Sequence, residues 1–491
     1  MKYFRLPAIL APIFLITAVF TANAELFPLG EEVRIGGGEG RTALDTAPDS
    51  IAASPLRRFL AVRAESGIFT FTATDIAGTI WGQRGVLVTP EVLINNTKDD
   101  SQRLPSVCAQ RTIGDFVVVW EDDSGGNGPR VRGRLISGAG EYVSQEFDID
   151  TGDGTPTGPA LACILGNDAL IAWTALYDPS GTSDIMVRFL DTAGEPVTEP
   201  VMANADVPGV RGNVHAASNG LGRMVVTWTE TIPYMFGFIH STRARMFLIN
   251  GTTLGNEIVV HTDDGTVGLH SDSVAVVHSD ATFTIFWSGE HTTGTVFADI
   301  LARRFSANGQ PLTDEVTVNE LRDGIESQPA VAELPDGRMV VAWTSTIDGD
   351  GSGISARVLN SDLSPAGDEF VVNSTTKGTQ EFPGVAADAD GKVIIVWSST
   401  GADGPGSRDV FAQRFDSVEP QCGAPQTAQP TPAASDCLYI LQVAVGSAIC
   451  DPECVCAPGG DLPASATDAL ICLATAVGTV TTDALNCPCG T

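Results

Sequence analysis

Residues 336 to 345 read DGRMVVAWTS: turn residues, an unbroken apolar run from Met339 to Trp343, then hydroxyls. A half-buried strand alternates apolar and polar positions, so this run predicts a strand covered on both faces. The pattern recurs as IGDFVVVWED at Trp120, GNDALIAWTA at Trp173, LGRMVVTWTE at Trp228, DATFTIFWSG at Trp287 and DGKVIIVWSS at Trp397. A seventh copy, LRRFLAVRAE, carries Arg63 at the Trp position, and successive anchors lie 53 to 59 residues apart.

Each copy continues with a loop, a strand such as ILARRF or VFAQRF, a Gly-containing turn and a strand such as GDEFVVNS; the next copy opens with a short strand such as QPAVAEL. Four β-rich runs bounded by turn residues predict a four-stranded antiparallel meander. A sheet of roughly 55 residues cannot bury both its faces alone, whereas seven stacked side by side can, which predicts a β-propeller. The acidic residue opening strand four recurs as Glu91, Glu146, Glu199, Glu257, Glu315 and Glu369, but copy seven has none. LGEEVRI, residues 29 to 35, matches LTDEVTV at 312 to 318 and brings Glu32 to the vacancy, so the N-terminal segment is expected to complete the last blade.

The first 24 residues carry Lys2, Arg5, an apolar run and Ala22-Asn23-Ala24, the pattern of a secretory signal peptide. No later stretch reaches the roughly 20 apolar residues that span a bilayer, so no transmembrane segment is expected in the mature chain. With 60 acidic against 28 basic residues and a net charge of -32, the surface repels phosphate, which argues against nucleic acid as a partner. Cys108 and Cys163 occupy nearly equivalent places on neighbouring first strands, where a disulfide between blades is possible. Cys422, Cys437, Cys450, Cys454, Cys456, Cys472, Cys487 and Cys489 crowd the C-terminal region as a disulfide framework whose pairing the sequence leaves open. The organisation read from the chain is a signal peptide (1–24), an all-β seven-bladed propeller (25–418), a Pro, Ala and Gln-rich linker (419–434) and a small helical, disulfide-rich module (435–491).

Candidate chemistry in the ring is sparse. Loop DGDGSG places Asp348, Asp350 and Ser352 where three oxygens can surround calcium, with turn chemistry as the plain alternative. His215, His240, His261, His270, His278 and His291 all fall in copies four and five without metal-motif spacing. Arg134, Arg188, Arg245, Arg304, Arg357 and Arg414 recur on strand three, where pairing with the strand-four Glu is expected. From the anchor to the small residue of strand three the distance is 13 to 16 residues in copies two to seven and 19 in copy one. This evenness weighs toward a non-catalytic binding or scaffold protein with an extracellular or cell-surface protein or glycan as partner. The rival expectation is a carbohydrate-active or other hydrolytic enzyme in the propeller mouth.

GSRDVFAQRFDS with its upstream VIIVWSSTGADGPG resembles tandem repeats of bacterial secreted and cell-surface proteins, over roughly residues 29 to 417. In the C-terminal module SDCLYILQVAVG and TDALICLATAVG form a duplication, each copy followed by C-x-C. Asp436 or Asp468 is expected to cap each helix, with apolar faces Leu438, Leu441, Val445 and Leu470, Leu473, Val477. The duplication resembles a dockerin, a paired module that docks secreted bacterial proteins onto cohesin partners with calcium in each loop. The resemblance implies Asp436 and Asp468 as last calcium ligands and Ser435 and Thr467 as partner-reading hydroxyls. The earlier ligand positions hold Pro425, Thr427, Gln429, Ala457, Gly459 and Asp461, among which only Asp461 is a natural ligand.

Overall fold

The computed structural model describes residues 26–487 except 39–40, 45–46, 48, 67–72, 83–86, 98–99, 125–127, 150–151, 165, 167, 178–180, 206, 235–236, 263–269, 291–297, 322–323, 347–349, 402–405, 418–421, 423, 425–430, 448–449, 451–452, 459, 461, 483–484 and 486. The signal-peptide segment lies outside the described residues. No described helix is long and apolar enough to cross a membrane.

The strands of the ring form seven antiparallel sheets, the blades of a β-propeller. Blade 6 shows the plan: Glu326–Glu333, Met339–Ser345, Gly353–Leu359 and Phe370–Val371 pair in sequence order. The doubly apolar run divides its side chains between two cores. Met339, Val341 and Trp343 pack with Val274, Phe286 and Ile300 of blade 5; Val340 and Ala342 pack with Val385, Ile395 and Trp397 of blade 7. Every strand-two Trp points to the preceding blade and is no more than 1% exposed. Each buries an aromatic surface, the dominant apolar contribution at its joint.

The ring closes as the sequence predicts. Phe27–Pro28 and Val33–Gly36 pair antiparallel with Arg408–Asp416, the third strand of blade 7, with Val33 opposite Ala412 and Phe27 opposite Asp416. Glu32 accepts the backbone N–H of Ser374 at 2.8 Å and the hydroxyl of Thr375. Its counterparts do the same elsewhere: Glu369 accepts the N–H of Glu320 at 2.7 Å, and Glu257 that of Ala205 at 2.8 Å. The recurrent Glu is therefore a clip from one blade to the corner of the blade before it.

The arginine expectation needs correction. Arg134 lies 3.9 Å from Glu146 as expected, but the partner that recurs is a backbone carbonyl of the preceding blade: Arg245 donates to Ala203 O at 3.0 Å, Arg357 to Val318 O at 3.0 Å, and Arg134 to Ile94 O. In blade 5 this position is Arg303, which donates to Val260 O at 3.2 Å, and in blade 7 it is Gln413, which donates to Gly30 O at 3.0 Å. Arg304 and Arg414 are one residue out of register, which on a strand means the opposite face. Arg304 instead bonds Thr282 at 2.9 Å. Copy one is also more regular than its sequence suggests. Gly78 pairs with Val92 as Ala356 pairs with Phe370, so the small residue lies 15 positions after Arg63 (78 minus 63) rather than 19.

In the C-terminal module, helix α1 (Ala434–Ala444) and helix α2 (Ala466–Ala476) are joined by Cys437–Cys472; Cys422–Cys487 and Cys450–Cys456 complete the described bridges. The side chains of Cys454 and Cys489 lie outside the description. Asp436 and Asp468 are not N-caps but sit in the first turn, reaching back to accept the N–H of Ala433 and Ser465, each at 2.8 Å. The expected apolar faces point outward: Leu438 is 59% exposed, Val445 68%, Leu470 66% and Val477 66%. The Cys437–Cys472 bridge dictates this. It turns Cys437, Ile440, Ala469 and Cys472 inward, and a residue one position along is rotated about 100° away.

Candidate functional site at the channel mouth

The first strands of successive blades neighbour one another around the axis and wall the central channel. In blades 2 to 7 each carries a β-bulge near its start, at Arg103/Ser106, Thr157/Ala160, Gly212/His215, Ser271/Val274, Ser327/Ala330 and Glu381/Gly384. One bulge residue in each adopts positive φ: Leu104 (50°), Gly158 (59°), Asn213 (51°), Asp272 (52°), Gln328 (55°) and Phe382 (57°). Five of these six are not glycine. A non-glycine residue in this region costs on the order of 1 kcal/mol or more, so the ring holds strain at one level of the channel. Bulges re-aim side chains, and here they turn five different ones to the cavity.

That cavity occupies about 820 Å³ and is lined by residues from all seven blades. Leu104 and Phe382 are 37% and 42% exposed within it. Gln328 Oε1 accepts the Thr344 hydroxyl at 2.7 Å and the Phe382 N–H at 3.1 Å, tying blade 6 to the blade 7 bulge. Asn213 Nδ2 donates to Asp272 Oδ1 at 2.9 Å, and burial raises the Asp272 carboxyl above the ordinary carboxylate range.

Blade 1 enters the mouth differently. Its innermost strand is broken into Thr42–Leu44 and Ile51–Ala53, and between them Asp49 approaches blade 4. His215 Nε2 meets Asp49 Oδ1 at 2.9 Å, a bond between non-adjacent blades that crosses the channel. Blade 4 also bears the longest hairpin, Arg223–Tyr234 with Gly237–Leu248. Its first strand begins pairing at Val210 with Thr231, while the hairpin stays paired out to Tyr234 with Gly237. It thus rises on the mouth side, carrying Phe238, which is 63% exposed.

The residues singled out in the sequence fare unequally. Cys108 and Cys163 form the expected bridge, with Cα atoms 5.5 Å apart. Asp348 lies outside the described residues. Ser352 donates its hydroxyl to Gln380 O at 3.0 Å, as Ser183 does to Arg211 O at 2.7 Å and Thr74 to Gln102 O at 2.6 Å, so this hydroxyl has a recurring role between blades. Asp350 lies near the Gly378 N–H at 3.5 Å. Among the described residues no three His, Cys, Asp or Glu side chains converge as a metal site requires. His278 pairs with Glu333 at 2.6 Å and His261 stacks on His270 at 4.3 Å; His291 is not described.

Sequence reasoning missed the bulge ring. Its signal was proline: Pro105, Pro159, Pro329 and Pro383 each follow the bulge residue, and proline inside a strand marks an edge or a bulge.

No family model matches the sequence, and no curated protein matches it. Among solved structures, a protein of unknown function from Dyadobacter fermentans has 12% identity and a TM-score of 0.47, covering 66% of this chain and 97% of its own. A PL25 ulvan lyase has 8% identity and a TM-score of 0.49, covering 77% and 95%. A GH93 α-L-arabinofuranosidase of Fusarium graminearum has 10% identity and a TM-score of 0.43, covering 63% and 92%. Glycoside hydrolases and polysaccharide lyases thus stand among the propellers this chain is similar to in shape; that similarity is one of fold.

Proposed function

We propose that the channel mouth binds a saccharide chain and that the C-terminal module attaches the protein to an extracellular or cell-surface partner. The observation carrying the first half is the ring of left-handed bulge residues. Each strand could relax its strain with glycine, as Gly158 does, yet five keep side chains aimed at one cavity. Around the axis the hydrogen-bonding Asn213, Asp272 and Gln328 follow one another in blades 4, 5 and 6, with apolar Phe382 in blade 7 and Leu104 in blade 2. Such a mixture suits a sugar, whose ring faces are apolar and whose edges are hydroxyls. The even loops that weighed against a differentiated site lose their force, because the differences between blades reside in these side chains.

The test exploits the strain. Leu104→Gly and Phe382→Gly remove exposed side chains while relieving positive φ, so the folded protein should keep or gain thermal stability while glycan affinity falls at least tenfold. Calorimetric titration of the full chain with soluble neutral polysaccharides reads the affinity. Saturable binding that survives both substitutions, or none in the unmodified protein, would sink this reading.

For the module, the supporting feature is two equivalent surface stripes. Ser435 with Leu438, Leu441 and Val445, and Thr467 with Leu470, Leu473 and Val477, are all exposed along α1 and α2. Hydrophobic residues left outside in both copies of a duplication fit a docking face. Leu438→Asp together with Leu470→Asp should abolish retention of the full chain on envelope fractions; undiminished retention would count against attachment through this face.

A further inference from the structure

Two carboxyls in the mouth are gripped by one strand. Asn213 Nδ2 holds Asp272 Oδ1 of blade 5, and His215 Nε2 holds Asp49 Oδ1 of blade 1, both at 2.9 Å. Asn213 and His215 are two residues apart on the same strand, at its bulge, and both Asp49 and Asp272 line the same cavity. The carboxyls are therefore brought into one neighbourhood although their own residues belong to different blades. Carboxyl pairs about 5 to 10 Å apart are the machinery of glycosidic-bond hydrolysis.

Their surroundings differ in the way such a pair requires. Burial favours the protonated form of Asp272, opposed by the Ser271 hydroxyl at 3.3 Å, by His240 and by Asn213. Asp49 receives a hydrogen from His215, whose Nδ1 faces the Ala275 N–H at 3.3 Å and so acts as acceptor, leaving the ring hydrogen on Nε2. Asp49 Oδ2 has no protein partner among the described residues.

Building on the saccharide reading of the mouth, we infer that Asp272 and Asp49 are the acid and base of a glycoside-hydrolysing site. Asp272 gives its proton to the glycosidic oxygen as the bond from that oxygen to the anomeric carbon breaks. Asp49 takes a proton from a water molecule whose oxygen bonds to the same carbon. One water is consumed, two shorter saccharides leave, and solvent returns Asp272 to its acid form and Asp49 to its carboxylate. Asn213 and His215 are positioning residues, acting through the carboxyls they orient.

The experiment uses the full chain with arabinan, galactan, xylan and β-glucan, measuring binding and new reducing ends separately. The unmodified protein should release reducing ends from a polysaccharide it binds. Asp272→Asn and Asp49→Asn should keep affinity while turnover falls at least 100-fold, a general acid or base contributing about 10² to 10⁴. Asparagine tolerates the positive φ of position 272, so this variant should fold. His215→Gln should lower kcat with little change in KM, a split that a purely structural role would not give. Bound polysaccharide recovered intact from the unmodified protein, or turnover undiminished in either carboxyl variant, overturns the acid and base assignment while leaving saccharide binding in place. Absence of binding to all four polymers overturns both.

Discussion

The joint between blades 5 and 6 and the joint between blades 7 and 1 both carry a buried apolar cluster and differ in what fills the Trp position. At the first, Trp343 fills the space against Phe286 and Ile300 in a purely apolar cluster. At the second, Arg63 stands in the Trp position, 1% exposed, with its Nε 2.7 Å from Glu65 and its Nη1 3.1 Å from Thr79. Glu65 also accepts the Gly37 N–H at 3.0 Å and faces Arg41 at 2.8 Å, which reaches Glu91 at 2.7 Å. Gly36 is required beside it, because a Cβ there would lie 2.2 Å from Arg63 Nε. The difference has a physical reason. Six joints join blades already continuous in sequence, and each keeps a Trp there while the same Glu clip or carbonyl bond recurs from blade to blade. The seventh must fix the register of a short segment from the far end of the chain, and directional bonds specify register where a few apolar side chains cannot.

The largest effect should come from deleting residues 26 to 36. This removes the outer strand of blade 7 and the Glu32 clip and exposes a strand edge. Loss of the cooperative melt and self-association by size-exclusion chromatography are expected; a monomer with an unchanged melt would break the comparison. Next, Glu65→Ala leaves Arg63 buried without its partner and should cost about 3 to 5 kcal/mol, similar to the roughly 3 to 5 kcal/mol of Trp343→Ala, by denaturant titration. A Glu65→Ala cost below 1 kcal/mol would show that the charged seam does not hold the ring closed. Replacing both Cys108 and Cys163 with Ser, at the joint of blades 2 and 3, should cost about 2 to 4 kcal/mol, measured the same way.

The smallest effect concerns a charge buried within a regular joint. Glu326 is fully buried where blades 2 and 7 have Gln102 and Gln380, and burial pushes its carboxyl up to about 7. Between the ordinary 4.5 and about 7 the folded protein keeps a proton that the unfolded chain releases. Stability from this group is therefore complete below 4.5 and declines as pH rises through that window, by at most about 3 kcal/mol. Glu326→Gln should flatten this part of the stability profile and raise stability at pH 8; a profile unchanged by the substitution would show that Glu326 is not the group responsible.

The sequence by itself determined the number of blades, the doubly apolar strands and the closure by residues 29 to 35, and it offered the bridge from Cys108 to Cys163 as a possibility that the structure bears out. These follow from period, alternation and equivalent position in a repeat, which are properties of the local chain. Which face of α1 turns inward was not so determined, since Leu438 and Ile440 are equally apolar and the Cys437–Cys472 bond chose between them. The register of Arg303 against Arg304 depended on a carbonyl of another blade. Above all, the mouth was decided in three dimensions. A bulge adds one residue to one strand, and only the ring of neighbours turns Leu104, Asn213, Asp272, Gln328 and Phe382 toward a common axis, where Asp49 and His215, 166 positions apart (215 minus 49), can meet.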